Sequence, residues 1–172
     1  MLGDLIRDHH QSGRVEWIGL RPARGATMRS VSEVLATADK GLAGDRTAAG
    51  RGGGSRQVTL IQEEHLPVIA ALAGQQEIAP DTLRRNLLVR GINLTALRGV
   101  VFRVGDAVLL GTGSCAPCSK METALGRGGF NAMRGHGGLT AKVLESGLVA
   151  VGAAVVPLPD DVRGTLPRRP SS

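Results

Sequence analysis

Glycine placement constrains this chain more than any other feature. The sequence has 25 glycines among 172 residues, about twice the usual share. They are scattered between short apolar runs and follow no period, a pattern that predicts many short strands joined by tight turns. Residues 14–20 alternate polar and apolar side chains around the single tryptophan and read as a strand. Residues 56–61, 87–90, 100–104 and 107–111 read the same way, and two further extended pieces follow at 139–145 and 148–157. Residues 30–39 fit either state, since Ser30-x-x-Glu33 matches a capping box while Val31, Glu33 and Leu35 suit a strand. Helical spacing of Leu66, Ile69, Ala70 and Ala73 predicts one main helix at about 62–73. Shorter helices are expected at 94–98 and 119–125, and glycine-rich loops at 47–55 and 126–138. The fold class is therefore mainly β with minor α: a barrel of about seven or more short, mostly antiparallel strands.

The boundaries follow from polarity. Residues 1–13 read as a flexible lead-in, 14–157 as the folded domain, and the proline-rich stretch 158–172 as a disordered tail. Aromatic content is 2%, with no tyrosine, so the core has to be aliphatic. The formal charge is +6 and is almost all arginine, with lysine only at Lys40, Lys120 and Lys142. The chain lacks the stacking aromatics and dense basic helix of a nucleic-acid binder, so no nucleic-acid partner is expected. No apolar run approaches the ~20 residues of a membrane span. Residues 1–11 are polar and show no leader, and two closely spaced cysteines make a poor disulfide framework, so the expected location is the cytoplasm.

Those two cysteines are the candidate chemistry. Cys115-Ala116-Pro117-Cys118 follows an apolar run that ends in glycines and precedes Ser119-Lys120-Met121-Glu122. A thiolate is the nucleophile and the metal ligand, and a nearby cation such as Lys120, or a helix N-terminus, favours it. Pro117 restricts both itself and Ala116, which fixes the relation of the two sulfurs. Arg84-Arg85-Asn86 at the entry to a strand offers forked contacts to a phosphate or carboxylate. The run Gly111-Thr112-Gly113-Ser114-Cys115-Ala116 matches a loose dinucleotide-binding pattern. However, Pro117 interrupts the required helix, and no acidic residue lies about 20 positions later.

Taken together, these pieces resemble the MOSC family, the C-terminal domain of molybdenum-cofactor sulfurases, in its stand-alone bacterial form. The matching stretches, in family order, begin with Gly41-Leu42-Ala43-Gly44-Asp45-Arg46, Arg56-Gln57-Val58-Thr59-Leu60-Ile61 and Arg84-Arg85-Asn86-Leu87-Leu88-Val89. They continue with Gly91-Ile92-Asn93-Leu94, Phe102-Arg103-Val104-Gly105-Asp106-Ala107, the cysteine stretch, and Gly137-Gly138 through Val151-Gly152. The resemblance implies a β-barrel and a molybdenum cofactor in its molybdopterin form. It implies Cys118 as metal ligand or persulfide carrier, with Cys115 as partner or spare. Arg84, Arg85 and Asn86, with Asp45 and Lys120, become the cofactor-binding candidates. A redox or sulfur-donor protein is the implied partner, and reduction of N-hydroxylated compounds an implied reaction. Thr47 stands where the family pattern has a histidine, and Ala153 where it often has an acidic residue.

Two alternatives stay open from the residues. Cys-Ala-Pro-Cys also resembles a thioredoxin-type active site, so thiol–disulfide exchange through Cys115 and Cys118 is a second reading. A non-catalytic module that binds an anion through its arginines is a third. A zinc site combining the cysteines with His65 or His136 would need histidines at an unfamiliar spacing.

Overall fold

The computed structural model describes residues 1–162, and its strands and helices follow the alternation of apolar and polar residues. The strands are β1 (Gly13–Leu20), β2 (Arg29–Val31), β3 (Glu33–Thr37), β4 (Gly41–Leu42), β5 (Val58–Gln62) and β6 (Leu87–Arg90). They continue as β7 (Val101–Val104), β8 (Ala107–Ser114), β9 (Leu139–Glu145), β10 (Gly147–Ala150) and β11 (Ala154–Pro157). The α-helices are α1 (Leu2–Leu5), α2 (Leu66–Leu72), α3 (Ser119–Leu125) and α4 (Gly129–Met133).

Seven strands in the order β11-β7-β8-β9-β5-β6-β1 form a barrel, closed where β1 pairs with β11. Closure leaves no edge of the barrel unpaired. Every barrel pairing is antiparallel except β5–β6, which is parallel and is bridged by the crossover through α2. Strand β2 extends the sheet beside β1, and β10-β3-β4 make a separate small sheet.

The β5–β6 wall is buried on both faces, which is why β5 has no exposed residue. Leu60, Leu87 and Val89 point into the barrel core with Val15, Leu109 and Phe102. Ile61 and Leu88 point the other way, into a second cluster with Ile69, Leu83, Met121, Leu125 and Met133. Helices α2, α3 and α4 are thus held on the outside of this wall by apolar burial. Each buried aliphatic side chain contributes roughly 1.5–3 kcal/mol.

The structure settles the stretch left open and departs from the sequence reading elsewhere. Residues 30–39 resolve as β2 and β3, because Val34 and Ala36 alternate into the core while Leu35 pairs across to Leu148 of β10. The stretch 126–138 is not all loop. The Glu122 carboxylate accepts the Gly128 and Phe130 N–H groups at 2.7 and 2.9 Å, satisfying orphan donors that would otherwise oppose α4. The extended piece 148–157 divides into β10 and β11 around a turn in which Gly152 has φ +90°.

The main helix begins with a 3-10 turn, Glu63–His65, that runs into α2. The N-terminal segment carries the single turn α1. Beyond β11, Leu158 donates to the Val101 carbonyl and Asp160 pairs with Arg7 at 3.1 Å. The rest of the expected tail, 163–172, lies outside the described residues. Among the described residues no helix is long and apolar enough to cross a membrane.

Candidate functional site

The cysteine stretch leaves the end of β8 and is pinned at once. The Cys115 N–H donates to the Gly138 carbonyl at 2.8 Å, just before β9. This close crossing requires glycine on the β9 side: a Cβ on Gly137 would run into the Cys115 carbonyl, and one on Gly138, at φ +95°, into the Leu60 carbonyl. Cys115 is buried at 1% exposure, whereas Cys118 is exposed. The stretch from Cys115 to Cys118 has no helix, strand, turn or bend, and Cys118, itself extended at φ −127° and ψ 175°, is the N-cap of α3. The two sulfurs therefore occupy different environments although they are neighbours in sequence.

Arg85 holds this loop from behind. Its side chain is buried at 3% exposure. Its Nε donates to the Gly137 carbonyl at 2.9 Å, Nη1 to Leu83 at 3.0 Å, and Nη2 to Cys115 and Ala116 at 3.3 and 3.5 Å. Burial lowers the guanidinium pKa. The Cys115 and Cys118 thiols counter that, while Arg56 and Arg21 add to it. Both thiols and three arginines thus share one electrostatic neighbourhood.

The neighbouring residues of the Arg84-Arg85-Asn86 run diverge. Arg84 has φ +57°, a strained value for a side-chain-bearing residue, and its Nη1 reaches the Ala26 carbonyl at 2.8 Å in the β1–β2 loop. Asn86 is fully buried. Its Oδ1 accepts from the Thr59 N–H, the Thr59 hydroxyl and Arg21, and its Nδ2 donates to the Gly19 carbonyl and to Asp45.

Asp45 is the anionic centre of that network. Its carboxylate accepts from the Arg21 backbone N–H at 2.9 Å, from Arg21 Nε and Nη2 at 3.1 and 3.0 Å, and from the Thr47 N–H at 3.1 Å. Thr47, standing where a histidine was expected, also takes a bond from Arg21 through its hydroxyl. Asn86 and Asp45 therefore direct their polar atoms at protein groups. They brace the wall on which Arg85 sits, whereas Arg85 itself reaches the cysteine loop. Lys120 is exposed on α3 and makes no ion pair among the described residues.

A cavity of about 290 Å³ lies beside the loop, with Cys115, Ala116, Pro117, Thr95, Phe130 and Arg134 in its lining. Phe130 is 40% exposed, in a chain whose aromatic content is only 2%. Sequence reasoning did not single out Arg21, Glu122 or Arg134. Arg21 and Asp45 are too far apart in sequence to form a local motif. Iodoacetamide is expected to modify Cys118 in the native protein and Cys115 only after unfolding, read by peptide mass mapping. Equal labelling of both would contradict the burial difference.

The fold is shared with solved proteins of low sequence similarity. The YuaD protein from Bacillus subtilis superposes with a TM-score of 0.70 at 20% identity, covering 84% of this chain and 94% of that one. YiiM from Escherichia coli gives 0.65 at 22% identity, covering 85% and 70%. YiiM from Geobacillus stearothermophilus gives 0.67 at 17%, covering 86% and 75%. No curated protein sequence matches the chain. The family model described as MOSC domain matches residues 47–156, a span that holds Arg85, both cysteines and the Gly137–Gly138 crossing, and the chain belongs to that family.

Proposed function

We propose that the protein binds a molybdenum–pterin cofactor and contributes Cys118 as its one protein thiolate ligand. The observation that carries this reading is the exposed Cys118 thiol at the end of a loop whose backbone the buried Arg85 grips. The donor set suits the group. A thiolate is a soft ligand of the kind such metals take, and the guanidinium groups around Arg85 favour an anionic cofactor.

When bound, the group would supply a redox centre with an open position for substrate. The chain's own residues do the rest. Arg85 fixes the height of the cysteine loop, and the Pro117 ring stiffens its approach to α3. Arg56, exposed and close enough to Arg85 to lower its pKa, is the cation left to meet the cofactor phosphate, since Arg84 is engaged by the Ala26 carbonyl. Phe130 and Arg134 wall the adjoining cavity, where a small substrate such as an N-hydroxylated compound would be oriented.

The exposure of Cys118 also favours a second reading, a persulfide carried on this sulfur for delivery to a partner protein. Protein made in a cofactor-competent host separates the two. About one molybdenum per chain by elemental analysis supports ligation, cyanide-labile sulfur without molybdenum supports the carrier, and the absence of both contradicts the two together. Thiol–disulfide exchange fits less well. Cys115 is buried and Cys118 exposed, so the two sulfurs are not presented together to a protein disulfide. Insulin reduction at background rate is the expected result.

A further inference from the structure

His65 lies at the entry to α2 and His136 just past α4, and the fold brings their rings together. The centroids are 5.2 Å apart and the planes cross at 71°. His136 Nδ1 is sealed from solvent and has no hydrogen-bond partner; among the described residues no other buried side-chain nitrogen or oxygen is left that way. A buried orphan of this kind calls for a physical reason. In the tautomer with its proton on Nε2, Nδ1 presents a lone pair with no donor in reach, which a metal ion satisfies.

The spacing agrees with ligation. Zinc–imidazole bonds of about 2.0–2.1 Å meeting at a tetrahedral angle put the two ring centroids about 5 Å apart. Aiming both nitrogens at one point asks for rotation about χ2, a soft torsion in histidine. An open cavity of about 380 Å³ adjoins His65, with Gln62, Glu64, Gly91 and Asn93 also in its lining, and brings water to the His65 side of the pair.

We propose that His65 and His136 form a two-histidine site for a divalent transition-metal ion that prefers imidazole, Cu(II) or Zn(II), with water completing the coordination. Burial and the neighbouring His136 lower the His65 pKa against an opposing pull from Glu64, a direction that favours the neutral ring a metal ion needs. A bound ion ties the entry of α2 to the segment leading into the Gly137–Gly138 crossing that Arg85 grips. The site does not depend on the reading of Cys118.

The test is calorimetric titration of Zn(II) and of Cu(II) into the full chain carrying His9→Gln, His10→Gln and Cys118→Ser. These changes remove the adjacent N-terminal histidines and the exposed thiol as competing ligands. One ion per chain is expected, with Cu(II) the tighter of the two. Adding either His65→Gln or His136→Gln should weaken binding by more than the ~10–100-fold that loss of a mere outer-shell partner costs. The Cu(II) spectrum should carry splitting from two nitrogens. Circular dichroism confirms that each variant is folded, and either folded variant decides the matter alone. No saturable binding in the starting protein, or binding unchanged in either folded variant, overturns the site.

Discussion

Replacing Asp45 with alanine is expected to lower the unfolding free energy by about 3–5 kcal/mol, the usual cost of removing one partner from a buried ion pair. At about 2–4 °C per kcal/mol for a chain of this size, the melting temperature should fall by about 6–20 °C. The reason lies in what is left behind. Arg21 is only 6% exposed, and its side chain and backbone send three hydrogen bonds to this one carboxylate. Asn86 and the Thr47 N–H lose an acceptor as well. Removing the pair together, as Arg21→Met with Asp45→Leu, should recover much of the loss, because an apolar pair leaves no uncompensated charge. An Asp45→Ala protein as stable as the wild type would contradict the network.

The same carboxylate gives a pH dependence. Burial by itself raises the Asp45 pKa. The hydrogen bonds from the Arg21 side chain and backbone, the Arg21 charge and the Thr47 N–H outweigh it and leave the pKa below the usual carboxylate range. A carboxyl depressed in the folded state stabilises above its unfolded pKa of about 3.9 and loses that stabilisation as pH falls through the folded value. Asp45→Ala should therefore lose less stability below about pH 4 than the wild type does, as read by denaturant unfolding across that range.

Arg85→Met should loosen the cysteine loop while keeping much of the apolar stem. One hydrogen bond to a charged group is worth about 1.5–3 kcal/mol, and this residue makes contacts to four carbonyls. A fall in melting temperature of several degrees is expected, together with alkylation of Cys115 in the native state. Arg85→Lys should not rescue either property, because an ammonium is a point charge and cannot replace a planar fork. Unchanged stability and a still-protected Cys115 would remove Arg85 from its assigned role.

Much of this architecture was legible in the sequence because it is written in local patterns. The alternation at 14–20 and the β-branched run at 56–61 announced strands that the barrel uses, and the apolar spacing at 62–73 announced α2. Segments decided by distant partners were not legible. The β3 strand exists because Leu35 meets Leu148 and because Val34 and Ala36 are buried, facts absent from its own five residues. Helix α4 depends on a carboxylate from α3, hidden in a glycine-rich stretch that reads as loop.

The candidate site divides the same way. Cys115 and Cys118 were conspicuous by spacing, but which sulfur faces water depends on the β9 crossing that pins Cys115 and on the start of α3 at Cys118. Arg84, Arg85 and Asn86 looked like one anion-binding run. A positive φ at Arg84 and the alternation of extended backbone instead send the three side chains to three places. The pairing of His65 with His136 has no signature in sequence at all, since it is made by two segments packed on the same outer wall.

The central claim is that Cys118, and not Cys115, is the working sulfur. It is tested most directly by measuring molybdenum and cyanide-labile sulfur per chain in Cys118→Ser and Cys115→Ser proteins made beside the wild type in a cofactor-competent host. The account predicts that Cys115→Ser keeps the wild-type load and Cys118→Ser loses it. Loading retained by Cys118→Ser and lost from Cys115→Ser would contradict it.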